Sequence, residues 1–481
     1  MTSALGAAGE VAIASLIKRA PLASSLAQSF AAKGFRLALV GGPVRDALLG
    51  RLGNDLDFTT DAKPEDTKKI LQSWAENIWE IGIEYGTVAG KRGDTTVEVT
   101  TYRSESYDPE SRKPEVVYGE NIEGDLSRRD FTINAMALEL TTKVPEFIDP
   151  FNGLEDLAKK ILRTPTKAEN SFSYDPLRMM RAARFASQLS FEIAPDVLQA
   201  IKDMAGRISI ISAERVRDEF TKILMSSNPR VGITILVETG LAEIVLPEIP
   251  KLRLEIDEHH HHKDVYEHSI TVLEQAIAHE ERLGGPNLII RLAALLHDIG
   301  KPKTRSLIAG GGVSFHHHEI VGARLTKSRL KALRFDGETI EQVETLVALH
   351  LRFHGYGDGE WTDSAVRRYV RDAGELLTHL HVLTRADCTT RNVKKAERLA
   401  AVYDSLEARI AKLMEEEELS KIRPDLDGAQ VMSLLGIKPS AAVGDALDFL
   451  MELRLEHGPL GEERATKELL DWWSKENPAA K

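Results

Sequence analysis

The sequence has one cysteine, Cys388, which excludes an internal disulfide or a zinc site built on several thiolates and fits a reducing compartment, the cytoplasm. It has no apolar run near the roughly 20 residues that a membrane helix needs. The leader-like stretch MTSALGAAGEVAIASLIKRAP has no basic start and carries Glu10 in its apolar part, so it reads as an ordinary helix. Excess positive charge is also missing: 62 Lys and Arg stand against 74 Asp and Glu, a net charge of -12. Such a chain does not coat a polyanion by bulk electrostatics, and a polyanionic partner must meet a local basic patch. No repeat or low-complexity tract stands out. What remains is a globular balance of 42% apolar and 28% charged residues over 481 positions, which excludes a disordered or fibrous chain and allows about three domains.

The texture changes along the chain. FRLALVGG reads as a short buried strand, PVRDALLG as a helix start, DLDFTT as a second strand and DTTVEVTTYR as a third with period-two alternation. These segments predict an α+β head over 1–156. From Leu157 onward apolar residues recur at helical spacing, as in LRMMRAARFASQLSF, RVRDEFTKILM and LIIRLAALLHDIG. Pro247 and Pro250, followed by charged residues to Glu258, close a helical region 157–254. A His-rich helical region follows over 255–400, and a charged helical tail over 401–481.

Three motifs in the head carry chemistry. Gly41 and Gly42 sit between a strand and a helix, where backbone can approach a ligand and the helix N-terminus offers unpaired N–H groups. Asp55 and Asp57 are two apart on a predicted strand, so both carboxylates point to one side and together call for a cation. Hard oxygen ligands of this kind suit Mg²⁺ bound jointly with substrate phosphates. Alone, Asp-x-Asp is commonly a solvated strand edge; placed shortly after the glycine turn, it points to a metal. Arg128 and Arg129 in SRRDFTINAMAL are guanidinium forks of a shape that matches phosphate oxygens. Glu98, in VEVTTYR, lies on the third predicted strand.

A fourth segment, YDPLRMMRAARF, places Asp175 and Arg178 three apart, on one face of a helix that opens with Pro176 in its first turn. If that face meets a base, the carboxylate accepts from an exocyclic amino group and the guanidinium donates to the adjacent ring acceptor. Cytosine and adenine satisfy both; uracil and guanine do not, at about 1–3 kcal/mol per mismatched contact. Between Lys159 and Arg253 there are 15 basic and 11 acidic residues, so a mildly positive neck lies within an acidic chain.

GGPVRDALLG, DLDFTTDA, SRRDFTINAMAL and YDPLRMMRAARF, in this order, resemble the motifs of nucleotidyltransferases with a DNA-polymerase-β-like head, and among them the bacterial class II tRNA CCA-adding enzymes and their poly(A) polymerase relatives. The resemblance covers almost the whole chain. It implies an α+β fold with a small mixed sheet in the head, followed by all-helical neck, HD and tail regions. The activity implied is template-independent addition of CCA to the 3′ end of tRNA from CTP and ATP, the neck receiving the tRNA acceptor end. Asp55 and Asp57 are then the catalytic Mg²⁺ ligands, and Gly42, Arg45, Arg128, Arg129, Asp130, Asp175, Arg178, Arg181 and Arg184 the nucleotide-binding set. The polar stretch SESYDPESRKPEVVYGENIEGD is implied to be a flexible loop acting in nucleotide choice, with Arg112 its candidate residue. Asp149 and Gly153 fall in the turn from head to neck with Arg163 near it, and Glu214 and Arg215 in a bracing neck helix. Tyr174 departs from the family, which usually has Glu there. The alternatives are poly(A) polymerase, addition of CC or A alone, and a phosphohydrolase whose head only grips RNA. The stretch WEIGIEYGTVAGKRG lacks the arginine-rich signature of the poly(A) polymerase relatives, which favours CCA addition.

Further on, His268, His297, Asp298, His318, His350 and Asp387 form a mixed N/O set that suits a divalent metal. The segments that carry them resemble the HD phosphohydrolase domain. By it, His268, His297, Asp298 and Asp387 hold a second divalent metal of unspecified identity, with Lys301 and His318 available for phosphate or another ion. The alternative is a helical scaffold whose histidines and aspartates bond one another. His259 to His262 can also bind metal adventitiously.

Overall fold

The computed structural model describes residues 13, 14, 17, 21–79, 86–106, 115–118, 121–254, 264–308, 312–355, 361–390, 392–417 and 423–476. Arg112, His259 to His262 and residues 1–12 of the leader-like stretch lie outside them. The chain forms two compact units, Met1–Val245 and Leu246–Lys481.

The head of the first unit has, among the described residues, nine strands: β1 (Leu37–Val40), β2 (Asp55–Thr60), β3 (Asn77–Trp79), β4 (Thr87–Arg92), β5 (Thr95–Thr101), β6 (Arg103–Ser106), β7 (Glu115–Tyr118), β8 (Ala137–Glu139) and β9 (Glu146–Ile148). Seven of them make one sheet in the order β3-β4-β5-β2-β1-β8-β9, while β6 and β7 pair antiparallel with each other. The LALV of β1 is buried at every position because it runs between β2 and β8. In β2 the pleat turns Leu56 and Phe58 into the core and leaves Asp55 exposed and Asp57 half-buried. β5 lies parallel to β2, so the chain between them must cross over, and it does so through the helix Pro64–Trp74 and the strands β3 and β4. That parallel register sets Glu98 directly beside Asp57. The mixed sheet bears out the α+β reading of the head.

At the end of β1, Gly41 has φ 74° and ψ −132°, and a Cβ there would stand 2.7 Å from Nη1 of Arg129. Glycine is therefore needed both for the backbone turn and for the close approach of the arginine. The helix Gly42–Leu48 follows at once, with Pro43 in its first turn.

Beyond the sheet, the helix Leu177–Leu189 is the axis of the first unit's helical part, packed by the helices Ala213–Leu224 and Pro229–Glu238. Its start differs from the sequence expectation. Asp175 is extended (φ −140°, ψ 100°) and the helix begins at Leu177, because a residue before proline is pushed out of the α region. Two short ladders, Ile161–Leu162 with Glu192–Ile193 and Ser306–Ile308 with Gly312–Ser314, interrupt the otherwise helical remainder. Strands of two or three residues carry no readable alternation.

In the second unit the helix Leu288–Leu296 is almost wholly apolar and buried among the helices Val265–Ala278, Gly337–Leu349 and Leu377–Asp387, as expected of a helix hydrophobic all round. Its one charged residue, Arg291, is matched by Glu280 through Nε and Nη2 at 2.7 Å each, both groups buried. The chain then turns through His297, Asp298 and Gly300. A Cβ on Gly300 would fall 2.1 Å from the carbonyl oxygen of His318 and 2.7 Å from the Gly322 nitrogen, so this glycine admits the helix His318–Ala332 against the turn. The tail helices Gly428–Leu435, Ala441–His457 and Glu462–Glu476 close a small core of Leu426, Val431, Ala446, Leu450, Ala465 and Leu469. The helix Val393–Glu417, 25 residues long and rich in charge, ends in the acidic run Glu415–Glu417.

Candidate functional site

A cleft of about 350 Å³ opens in the first unit. Asp57 and Glu98 lie on one wall, six arginines (Arg103, Arg128, Arg129, Arg178, Arg181 and Arg215) face into it, and Asp130 and Asp175 complete its charged lining. So many guanidiniums in one concavity match a polyanion such as a triphosphate. The carboxylates give the opposite charge at one end. Burial, aided by Glu98 and Asp55 and opposed by Arg129, pushes the Asp57 carboxyl up to about 6. A carboxylate so destabilised by burial is suited to a cation, and Glu98 beside it on β5 is a second hard oxygen donor, while Asp55, two residues earlier on β2, is not among the residues lining the cleft.

The arginines are fixed from behind. Asp125, fully buried, accepts from Arg128 at 2.6 Å and from Arg129 at 3.2 Å; burial raises its carboxyl, but Arg129 and Arg128 outweigh burial and hold it below the usual range. Asp130 accepts from the Phe131 N–H (2.8 Å) and Asn134 Nδ2 (2.9 Å) on one oxygen, and from Arg181 Nε (2.9 Å) on the other. Burial opposes ionisation there too, but Arg181 and Asn134 bring its carboxyl down to about 2. Both Asp130 oxygens are thus engaged, and Asp130 holds Arg181 in place.

Asp175 and Arg178 both reach the cleft. Asp175 accepts from Arg215 Nη2 at 2.8 Å and from the Leu177 N–H at 3.1 Å. Arg178 donates to Ser171 Oγ (2.8 Å) and to the Arg128 carbonyl, and its guanidinium lies 4.9 Å from the Tyr174 ring centre. The residue in the family's Glu position therefore holds Arg178 through its π face.

Arg45 and Arg184 are placed elsewhere. Arg45 donates to Asn134 Oδ1 (2.6 Å) and pairs with Asp46 (2.8 Å), while Arg184 pairs with the buried Glu219 (2.7 Å). Together with Arg181 they surround one buried ring, Phe185, at 5.1, 4.1 and 5.5 Å. Gly42 opens the helix after the turn and leaves room for Arg45 Nη2, 3.7 Å from where its Cβ would be. Asp149 caps the helix Gly153–Lys159, accepting from the Gly153 and Leu154 N–H groups at 2.7 and 2.9 Å, and Arg163 stands 3.6 Å from Asp156. Sequence reasoning missed Arg103 as a cleft residue and took Arg215 for a brace only. Arg103 begins a strand after the alternating VEVTT, and that alternation was the one available signal.

The second unit gathers the histidines and aspartates. His268 Nε2 is 3.0 Å from Asp387 Oδ1 and 3.3 Å from His297 Nε2, and His297 Nε2 is 3.2 Å from Asp298 Oδ2. Lys301 Nζ approaches the same Asp298 oxygen at 2.9 Å, and His318 Nε2 faces Oδ1 at 3.3 Å. Burial raises the Asp298 and Asp387 carboxyls, but their histidine neighbours, with Lys301 at Asp298, outweigh it and hold both well below the usual range. Burial, helped by His297, pushes His350 down to about 3, leaving it a neutral base. Donor atoms of His268, His297 and Asp387 lie within 4.8 Å of one another, as do those of Asp298, His318 and His350. The four residues expected to hold a cation are brought together.

Comparison with known proteins gives three family matches: a poly A polymerase head domain over residues 37–163, a probable RNA- and SrmB-binding site of polymerase A over 190–252, and an HD domain over 265–417. The A-adding tRNA nucleotidyltransferase of Deinococcus radiodurans is 32% identical over 450 residues, 92% of this chain and 96% of that protein. The CCA-adding enzyme of Lactobacillus johnsonii is 42% identical over 221 residues, and the match spans 46% of this chain and about half (53%) of that relative. Among solved structures, the Bacillus stearothermophilus CCA-adding enzyme in complex with CTP superposes with a TM-score of 0.68 at 25% identity, over 95% of this chain and 98% of the other.

Proposed function

The chain belongs to the tRNA nucleotidyltransferase family that carries a poly A polymerase head domain, and from that premise we propose that it adds C, C and A to the 3′ end of tRNA from CTP and ATP, without a template. The observation that carries this reading is the cleft, in which six arginines, Arg178 among them, face a carboxylate wall beside Asp175. The division that goes with it is a catalytic head over 1–156, a neck over 157–254 that meets the acceptor end of tRNA, an HD region over 255–400 and a tail over 401–481. A single cysteine is in keeping with work in the reducing cytoplasm.

Asp55 and Asp57, with Glu98 beside them, would hold Mg²⁺, which when bound neutralises the triphosphate and eases ionisation of the attacking hydroxyl. Arg128, Arg129 and Arg181 orient the triphosphate. The tRNA 3′ oxygen bonds to the α-phosphorus of the nucleotide, the bond from that phosphorus to the bridging oxygen breaks, pyrophosphate leaves, and the hydroxyl proton passes to water. Positioning and charge supply most of the catalysis. Asp175 accepts from the amino group of cytosine or adenine, and Arg178 donates to the neighbouring ring nitrogen. Arg215 orients the first of these, and Ser171, the Arg128 carbonyl and Tyr174 orient the second.

One observation favours a second reading, addition of A alone: the relative aligned over 96% of its length is an A-adding enzyme. Transfer RNAs ending before CCA, after C and after CC, offered CTP and ATP separately and mixed, separate the two once the products are sequenced. Full addition extends all three to CCA; an A-adding enzyme extends only the last. In the second unit His268, His297, Asp298 and Asp387 would hold a divalent cation, whose chemistry when bound is hydrolysis of phosphate esters.

A further inference from the structure

The geometry points to Asn134 as a positioning residue of the nucleotide site: its side-chain amide sets where Asp130, and through it Arg181, stands at the cleft. This rests on reading the cleft as the triphosphate site and adds to that site a residue that is not part of its lining.

Asn134 closes the short 3₁₀ turn Thr132–Asn134 and is buried. The turn is held from two sides. The Thr132 N–H donates to the Arg163 carbonyl at 2.8 Å, and the Thr132 hydroxyl donates to Asp156 at 2.7 Å. On the other side, a Cβ on Gly41 would stand 3.8 Å from the Asn134 carbonyl oxygen, so the glycine turn packs on the same residue. The amide's partners are thus placed relative to a fixed backbone.

The amide works in both senses. Its Nδ2 donates to Asp130 Oδ1 at 2.9 Å, and its Oδ1 accepts from Arg45 Nη1 at 2.6 Å. The orientation has no alternative, because a guanidinium only donates and an ionised carboxylate only accepts. Aspartate, of the same shape, lacks the donor, and leucine lacks both groups. Arg45 is itself fixed: Nε and Nη2 donate to Asp46 at 3.0 and 2.8 Å, and the guanidinium lies 5.1 Å from the centre of the Phe185 ring. On the far side, Asp130 turns its second oxygen to Nε of Arg181, which lines the cleft. The contacts therefore run from the helix Gly42–Leu48 through Asn134 and Asp130 to the helix Leu177–Leu189. Interposing a neutral amide leaves the Asp130 carboxylate an oxygen for Arg181, where direct pairing with Arg45 would compete. Against burial, Arg181 and then Asn134 hold that carboxyl ionised, down to about 2.

The test is steady-state incorporation by the full chain on tRNA ending before CCA, with CMP as a competitor that has base and sugar but lacks the β- and γ-phosphates. In Asn134→Ala, kcat/KM for CTP is expected to fall about tenfold or more, as for loss of a hydrogen bond to a charged group. The inhibition constant of CMP is expected to stay within about threefold of the parent's, and preference for CTP over UTP to be kept, because Asp175 and Arg178 are untouched. A variant weakened equally toward CTP and CMP, or one that matches its parent, overturns the role. Asn134→Asp reads the donor alone and decides the matter if the alanine variant does not fold, which circular dichroism shows. Burial and the facing charge of Asp130, opposed by Arg45 and Arg181, favour a proton shared by the two carboxylates, and that proton restores the donor as pH falls. The kcat/KM of Asn134→Asp relative to the parent is therefore expected to rise about threefold or more from pH 8.5 to pH 6; a ratio that stays flat overturns the inference. A parent that incorporates no nucleotide overturns the triphosphate reading itself, whereas an active parent with unaffected variants overturns the role of Asn134 alone.

Discussion

Asp57→Asn removes catalysis yet stabilises the metal-free protein. Burial first, then Glu98 and Asp55, lift the Asp57 carboxyl from 3.8 to about 6 against the pull of Arg129. At about 1.4 kcal/mol per pH unit, holding the ionised group costs the folded chain on the order of 3 kcal/mol. The folded pKa lies above the unfolded one, so the native state binds the proton more tightly. Stability is therefore lost as pH rises from about 4 through 6 and the loss is constant above that. Asparagine keeps the shape without the charge. In EDTA at pH 7.5 the variant head unfolds several degrees higher than the parent, taking about 2–4 °C per kcal/mol for a unit of this size. At pH 4 most of the difference disappears. Saturating Mg²⁺ raises the parent and leaves the variant unmoved, while nucleotide incorporation is lost in the variant. Differential scanning fluorimetry at the two pH values, with and without Mg²⁺, makes the comparison. A variant less stable than its parent in EDTA at pH 7.5, or equally stabilised at both pH values, would refute the reasoning.

Other perturbations follow from buried pairs and backbone. Asp130→Ala leaves Arg181 without its main partner in a buried setting, which predicts a loss of about 3–5 kcal/mol at pH 7 in urea unfolding. The carboxyl of Asp130 is held down to about 2, so its contribution is present above pH 4 and shrinks as pH falls toward 2. Glu280→Ala strands Arg291 inside the second unit and is expected to lower that unit's stability by a similar amount, while incorporation at permissive temperature stays intact. Gly41→Ala forces a side chain onto φ 74° and against Arg129; strain of about 1–3 kcal/mol predicts incorporation at least tenfold slower, with the second unit's melting unchanged.

How much of this was legible depended on how local each signal was. The β1 strand, the glycine turn and the helix after it read directly from LALVGGPVRDALLG, because chain neighbours make that unit. Asp55 and Asp57 read from the period of two. That Glu98 is the neighbour of Asp57 did not, since a parallel register across a long crossover is set by packing of the whole sheet. Arg215 joins Asp175 from a helix 40 residues away, and a lone arginine on an amphipathic helix looks the same whether it faces solvent or a cleft. Arg45 and Arg184 looked like ligand-binding arginines, but packing sets them around Phe185. The helix start at Leu177 instead of Asp175 was readable from Pro176 and was missed. In the second unit the sequence supplied every histidine, while the split of the donors by the two oxygens of Asp298 exists only in three dimensions.

The central claim is that side chains, with no complementary strand, select the incoming base. The most direct measurement is the ratio of kcat/KM for CTP and ATP over UTP and GTP in the parent and in Asp175→Ala, on tRNA ending before CCA and after CC. The parent is expected to prefer CTP strongly on the first substrate and ATP on the second, and in the variant preference over UTP and GTP is expected to fall about tenfold or more while pyrophosphate-releasing transfer persists. A variant that loses rate equally for all four nucleotides and keeps the parent's preference would contradict it.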